Sequence, residues 1–466
     1  MNNYIAVDIG ASSGRLILAN IEAGKIVLQE IHRFPNGFIR KNGQDVWEVD
    51  KLLKEILKGL SLAKGMGVKS CTMGIDTWGV DYVLVGHDNK RLKDPVCYRD
   101  SRTDNSIEQV EKIISRTEHY SKTGIQFLQF NTIYQLYTEP KELLEKTKYI
   151  LMTPDYLGYE LTGKAVTEYT MATTTSMINH ACKDWDRELL KIAGVRPEQF
   201  APFAHAGHIL GDVLQKWHDI YDIPDCKVIV APSHDTAAAV AAAPGKGDWA
   251  FLSSGTWSVL GMELNEPIVT DEALLANYSN EGGIGNTYRF LKNIMGMWLI
   301  QGVRKSLGEE VSYAYLVEQA EKITPYKYYI DPSHHSFLNP DNMIEAIQNY
   351  CKEQGGPVPQ TPGELARCVY DSLALFYKAV IEELETLTGK HIERIIIIGG
   401  GSKNNLLNKI TAELTGKTVV TGPVEASALG NIISQLIAMN VVSDIQQARE
   451  LVERSLMQAV SENPPL

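Results

Sequence analysis

The sequence predicts an α/β protein of two domains, on three observations. Its 466 residues are about twice the length at which a single hydrophobic core stops growing. Runs rich in β-branched residues alternate along it with amphipathic helical ones. An apolar strand, a Ser/Gly turn and a second apolar strand open the chain and return at residues 250–260, a weak internal repeat that suggests duplicated domains.

Composition narrows the partners. A hydrophobic fraction of 44% with 22% charged residues is that of an ordinary globular protein. The excess of 57 Asp plus Glu over 45 Lys plus Arg, a formal charge of -12 without long single-sign blocks, disfavours nucleic acid and anionic membranes. A small-molecule partner is expected. The opening Met1-Asn2-Asn3-Tyr4 shows no basic segment followed by an apolar one, and no apolar run is long enough to span a bilayer, so a soluble, cytoplasmic protein is expected. The six cysteines lack a C-x-x-C pair and most read as buried, reduced filler; Cys351 and Cys368 could meet if a loop folds back on a helix. His334-His335 has no partner cluster and reads as polar loop.

In chain order, runs at 4–9, 16–19 and 26–32 predict an antiparallel meander. The first turn, Gly10-Ala11-Ser12-Ser13-Gly14-Arg15, is not G-x-G-x-x-G, is followed by no helix and lacks a P-loop lysine, so both common nucleotide folds are disfavoured. Its backbone N–H groups and hydroxyls could still cradle a phosphate, with Arg15 on a phosphoryl oxygen and Asp8 holding magnesium through water. A plain tight turn with a surface arginine is the alternative. Asp50 is expected to cap an amphipathic helix to about Lys64. The strand at 71–75 ends in Asp76-Thr77-Trp78-Gly79-Val80-Asp81, where two carboxylates, an indole and a glycine suit a sugar, or else form a turn over a core tryptophan. Residues 97–102 could line a polar pocket or form a solvated ion-pair loop, and their charge pattern favours the loop. Residues 124–134 and 170–176 are plausible cleft walls.

The apolar run 228–231 leads into Ser233-His234-Asp235-Thr236 and a run of small residues, a strand end followed by a helix. Asp235 is the candidate base, and helix capping by Ser233 or Asp235 is the competing reading. Residues 244–248, rich in Pro and Gly, mark the boundary between domains at 1–243 and 244–466 and a hinge near 244–247. Beyond it, Ser253-Ser254-Gly255-Thr256 offers a second phosphate-binding hairpin. Thr361-Pro362-Gly363-Glu364 is a capping box that opens a long helix ending near Gly389, buried along one stripe. After a strand at 395–398, Gly399-Gly400-Gly401 at a strand-to-helix junction would let a flat or phosphorylated ligand touch the backbone. A further helix covers 425–431, and Pro464-Pro465 is expected to fray.

Residues 8–15, 254–258 and 399–401 occur in the order of the two phosphate motifs and the adenosine motif of the sugar kinase, actin and Hsp70 superfamily. With Asp235 between them, the chain resembles an FGGY carbohydrate kinase along essentially its whole length. The first turn, 74–81, 98–103, 233–236 and 291–296 resemble the rhamnulose-phosphorylating branch, whose first turn carries Ala11, Ser12 and Arg15 where most FGGY kinases have Thr-Thr and Lys. The resemblance implies two ribonuclease-H-like domains with an active-site cleft, ketose mainly on the first and ATP mainly on the second. It implies that Asp235 takes the proton of the sugar 1-hydroxyl and that Gly79, His234, Asp235, Thr236 and Asn293 contact the sugar. Ala11, Ser12, Ser13, Gly14, Arg15, Thr256, Gln301 and Gly400 would hold ATP, and Asp8 would anchor Mg2+. A monomer or homodimer that phosphorylates L-rhamnulose is the expectation. A kinase for L-fuculose or L-ribulose and an ATP-gated interaction module of the Hsp70 or actin kind remain open.

Overall fold

A computed structural model describes residues 3–245, 247–308 and 310–462, with side chains to residue 456. Lys246 of the expected hinge and the expected frayed tail at Pro464-Pro465 lie outside the described residues. The chain forms two compact units, one of residues 1–244, 264–290 and 426–466, the other of 245–263 and 291–425. The first break lies between residues 244 and 245. The second half of the chain, however, returns two segments to the first unit, which a linear division at 243/244 does not anticipate.

In the first unit, β1 (Tyr4–Ile9), β2 (Ser13–Glu22) and β3 (Lys25–Pro35) form the expected meander. With β4 (Ser70–Thr77), β5 (Ile209–Asp212) and β6 (Asp225–Ile229) they make a six-stranded sheet of order β5-β6-β4-β1-β2-β3. β4 runs parallel to both β1 and β6. Because side chains alternate across a strand, Ile5, Val7 and Ile9 enter one apolar layer while Tyr4 and Ala6 enter another. Helix α1 (Val49–Gly65) supplies the first layer with Leu52, Leu53, Ile56, Leu57 and Leu60. It is not capped by Asp50: Glu48 precedes it, and Asp50 lies in its first turn, paired with Arg91 at 2.7 Å.

The second layer explains why the C-terminal segment belongs to this unit. Helix α2 (Asp235–Ala241) packs against α3 (Ala426–Ala438) so closely that a Cβ on Gly430 would sit 1.7 Å from the Ala238 carbonyl oxygen. Only glycine permits that approach. Ala428, Leu429, Ile432, Ile433 and Leu436 then cover Tyr4, Ala6, Ile17 and Ala19.

The second sheet is also six-stranded and is built on a similar hairpin. β7 (Trp249–Ser254) pairs antiparallel with β8 (Trp257–Leu264) and parallel with β11 (Arg394–Ile398), which pairs parallel with β12 (Thr418–Thr421). With β9 (Ser279–Gly282) and β10 (Tyr288–Met295) the order is β9-β10-β8-β7-β11-β12. The repeat seen in the sequence is thus a repeat of the hairpin: β1–β2 and β7–β8 are each antiparallel pairs whose first strand runs parallel to a later strand. The predicted long helix spans Pro362–Thr388 with its Thr361/Glu364 capping box and a left-handed Gly389 at its end. Cys351 and Cys368 do come close, as buried free thiols, and Cys351 Sγ donates to Tyr329 O at 3.6 Å. No helix among the described residues is long and apolar enough to cross a membrane.

Candidate active site

β1 and β2 turn at Gly10-Ala11-Ser12, where Gly10 N–H donates to Ser13 O at 2.9 Å and Asn36 donates to Gly10 O and Ser12 O. Ala11, Ser12 and Ser13 are left at least partly exposed on this braced turn. Gly14 has a packing reason of its own, since a Cβ there would overlap the Phe34 ring at 2.2 Å. Asp8 and Arg15 are cross-strand neighbours, and both Arg15 Nε and Nη2 bond to Asp8 Oδ2, at 3.0 and 2.8 Å.

Asp76 is the register partner of Asp8 on β4. Its Oδ2 accepts from Asn431 Nδ2 at 2.7 Å, whereas its buried Oδ1 has no hydrogen-bond partner among the described residues. Burial, reinforced by the charge of Asp8, pushes the Asp76 carboxyl well above the usual carboxylate range.

Asp235 is the first residue of α2, and neither it nor Ser233 caps that helix. Ser233 is occupied elsewhere: its N–H and Oγ both donate to Glu168 Oε2, at 3.2 and 2.9 Å. The Asp235 side chain remains a third exposed, taking one bond from Thr236 Oγ1 at 3.1 Å and lying 3.5 Å from His234 Nε2. Burial raises its pKa; His234 opposes that shift and Asp8 adds to it.

His234 stands before Asp235, its Nδ1 3.2 Å from Arg289 Nη2 and 3.4 Å from Glu281 Oε2. Glu281 and the fully buried Arg289 form an ion pair at 3.1 Å. Burial pushes the Glu281 carboxyl up, but Arg289, His234 and Ser279 more than offset it and hold its pKa at about 2. Gly79 faces this ring: a Cβ on it would lie 3.3 Å from His234 Nε2. The next residue, Val80, has φ of +69°, a left-handed conformation that is costly for a β-branched side chain, and Thr132 Oγ1 holds its carbonyl at 2.7 Å.

The rest of that loop is structural. Asp81 Oδ2 accepts from Trp47 Nε1 at 2.6 Å, Trp78 Nε1 at 2.9 Å and Tyr98 N at 3.2 Å, and the two indoles pack with centroids 4.2 Å apart. Trp78 and Asp81 are therefore a buried turn cluster, not a sugar platform. Residues 97–102 are likewise not a solvated loop: Asp100 caps a short turn and binds the Asp45 amide, and Arg102 reaches Gln135 at 2.7 Å. Glu168, Glu281 and Arg289 are the residues of this region that sequence reasoning did not single out. The one available signal was a charge, Arg289, inside the apolar run of β10.

In the second unit, the Gly255-Thr256 turn is held by Met297 N–H to Gly255 O at 3.1 Å and Trp298 N–H to Thr256 O at 3.0 Å. That contact sets it on the start of the helix Trp298–Leu307, which carries Gln301. Asn293 lies on β10, one residue from Lys292, which pairs with Glu383 at 2.5 Å. A Cβ on Gly401 would lie 2.0 Å from Ser254 Oγ, whereas one on Gly400 would meet nothing within 4 Å. The three glycines thus divide the work: Gly401 lets the junction pack on β7, and Gly400 presents open backbone.

Residues 3–242 match the N-terminal domain of the FGGY family of carbohydrate kinases, and residues 250–439 match its C-terminal domain. The rhamnulokinase of Bacillus subtilis (strain 168) is 51% identical over 453 residues, covering 97% of this chain and 93% of its own. That of Lactiplantibacillus plantarum is 50% identical over 98% of this chain and 93% of its own. Among solved structures, a gluconate kinase from Lactobacillus acidophilus superposes with a TM-score of 0.80 at 16% identity, covering 99% of this chain and 98% of that one. A xylulose kinase from the same organism gives 0.78 at 16% identity over 99% of each chain. These likenesses bear on the fold, while the family models and the full-length relatives identify the lineage. The chain belongs to the FGGY family of carbohydrate kinases.

Proposed function

We propose that the protein transfers the γ-phosphoryl group of ATP to the 1-hydroxyl of L-rhamnulose, giving L-rhamnulose 1-phosphate and ADP, with Asp235 as the base. The sugar follows from the full-length rhamnulokinase relatives. The role of Asp235 is carried by one observation: it opens a helix at a strand end without being spent as a cap, still partly exposed.

In this reading the O1–Pγ bond forms as the bond from Pγ to the β,γ-bridging oxygen breaks, and the O1 proton passes to Asp235. The transition state is loose and the proton leaves late, so positioning and charge neutralisation supply most of the rate. Gly79, His234, Thr236 and Asn293 orient the sugar. Residues 11–15, Thr256, Gln301 and Gly400 bind ATP, the glycine and serine amides of the first turn facing phosphate oxygens. The first unit is then mainly the sugar-binding part and the second mainly the ATP-binding part. Because ATP is the phosphoryl donor, the cytoplasm is the compartment, and a monomer or homodimer suffices.

Magnesium fits the donor set. Asp8 and the unpartnered Asp76 Oδ1 offer hard carboxylate oxygens, and Mg2+ is held by one or two such groups plus water and substrate phosphates. Among the described residues no three acidic, His or Cys side chains form a metal cage. Asp8 would hold the ion through water, and the bound ion would neutralise phosphate charge.

The test is ADP release with Mg·ATP across L-rhamnulose, L-fuculose, L-ribulose, D-xylulose and glycerol, beside Asp235→Asn. L-Rhamnulose should be strongly preferred, and the variant should lose about 10²-fold or more in kcat. Preference for another ketose overturns the substrate. A variant within a few-fold of wild type removes Asp235 from its role, and ADP release indifferent to every sugar favours an ATP-gated interaction module.

A further inference from the structure

Arg289 is the largest charged side chain in the first unit with no exposure at all. Its hydrogen bonds are few, and the oxygen of Glu281 with which it pairs, Oε2, makes none among the described residues. Nε donates to Gly282 O at 3.0 Å, and Nη2 lies 3.1 Å from Glu281 Oε2 and 3.2 Å from His234 Nδ1. Nη1 has no partner among the described residues. A buried ion pair with an unsatisfied donor adds little net stability, because dehydration of both charges consumes most of the attraction. Its position behind His234 points to another role.

Guanidinium can only donate. Facing Nη2 at 3.2 Å, a neutral His234 ring would accept at Nδ1 and so carry its proton on Nε2. The competing arrangement, Nδ1–H donating to Glu281 Oε2 at 3.4 Å, is longer and sets an imidazole N–H against a guanidinium N–H. At the other end of the ring, Nε2 lies 3.5 Å from Asp235 Oδ1 and faces Gly79.

We propose that Arg289 is a positioning residue: anchored by Glu281 and the Gly282 carbonyl, it fixes His234 in the Nε2–H form and so aims a donor at the Asp235 carboxylate and the sugar beside it. This rests on Asp235 being the base. A donor on one Asp235 oxygen orients the carboxylate and leaves the other oxygen to take the O1 proton. The logic is that of a third group orienting a histidine, with an arginine at the far nitrogen selecting the tautomer opposite to the one a carboxylate would select.

The test reads the tautomer directly, by nitrogen-15 NMR of histidine-labelled, ligand-free protein, with His234 assigned through His234→Gln. Nε2–H is expected in the wild type. In Arg289→Met it should give way to a mixture or to Nδ1–H, with kcat down about 10- to 100-fold, the ATP KM within about two-fold, and partial recovery in Arg289→Lys. If Arg289→Met does not fold, Arg289→Lys and Glu281→Gln are read in the same way. A wild-type ring protonated on Nδ1 overturns the proposal, as does an Nε2–H form that survives all the variants. Because the spectrum needs no turnover, an error in the sugar assignment would appear as absent L-rhamnulose-dependent ADP release with the tautomer unchanged.

Discussion

Asp8 and Asp76 stand opposite each other on the paired parallel strands β1 and β4, one bonded to Arg15 and the other to Asn431 with an oxygen to spare. A buried carboxyl raised by dehydration and by a neighbouring anion costs stability above its unfolded pKa of about 3.9, and the cost grows as pH rises toward the folded value. Asp76→Asn keeps an oxygen for the Asn431 amide and removes the charge. The variant should melt about 2–4 °C higher at pH 7 to 8, with a smaller difference near pH 4, while losing at least about ten-fold in turnover. A lower melting temperature at pH 8 would show that Asp76 is needed for the fold.

The glycine junction separates packing from binding. Gly401→Ala must displace Ser254, so its melting temperature should fall measurably. Gly400→Ala has open space and should stay within about 0.5 kcal/mol of wild type. If Gly400 meets the nucleotide, that silent variant should nevertheless raise the ATP KM several-fold. Steady-state kinetics beside thermal melting checks both, and an unchanged ATP KM takes Gly400 out of the nucleotide site.

What the sequence made legible were features written in neighbouring residues. The hairpin of β1 and β2, its echo in β7 and β8, the capping box at Thr361 and the strand end before Asp235 each depend on local pattern, and each is present. What was illegible depended on distant partners. Trp78 reads equally as platform or core until Trp47, thirty-one positions earlier, is seen to stack on it and share Asp81. The helix at Ala426–Ala438 was visible, but not that its Gly430 fits Ala238 of the first unit. Arg289 lies 55 positions from His234, and a charge inside an apolar run does not say which residue it meets.

The Glu281 and Arg289 pair makes a prediction about acid. With a folded pKa of about 2 against an unfolded value of about 4.3, Glu281 contributes stability that is fully present above the unfolded value and is lost as pH falls toward 2. Glu281→Gln leaves Arg289 without its counter-ion and should cost about 3–5 kcal/mol at neutral pH. The gap in melting temperature between wild type and variant should hold from pH 7 to 5 and narrow below about pH 4.3. A gap independent of pH down to 3 would mean that Glu281 is not a charged partner of Arg289.

Gly79 tests the sugar side with the smallest possible change. Its φ is not in the left-handed region, so an alanine there strains no backbone. The added carbon would meet His234 Nε2 at 3.3 Å and Thr174 Cγ2 at 3.5 Å, so the ring must yield by a few tenths of an ångström. Because Ser233 is tied to Glu168 and Nδ1 to Arg289, the ring has little room to yield except by tilting Nε2 away from Asp235. A misplacement of about 1 Å costs about 10²-fold in rate, so this smaller one should cost about ten-fold in kcat/KM for the sugar. The ATP KM should be unchanged and the melting temperature within the effect of about 1 kcal/mol. Steady-state kinetics with each substrate varied in turn checks it. An effect confined to ATP would place Gly79 with the nucleotide, and no effect on either would leave it as a turn residue beside the strained Val80.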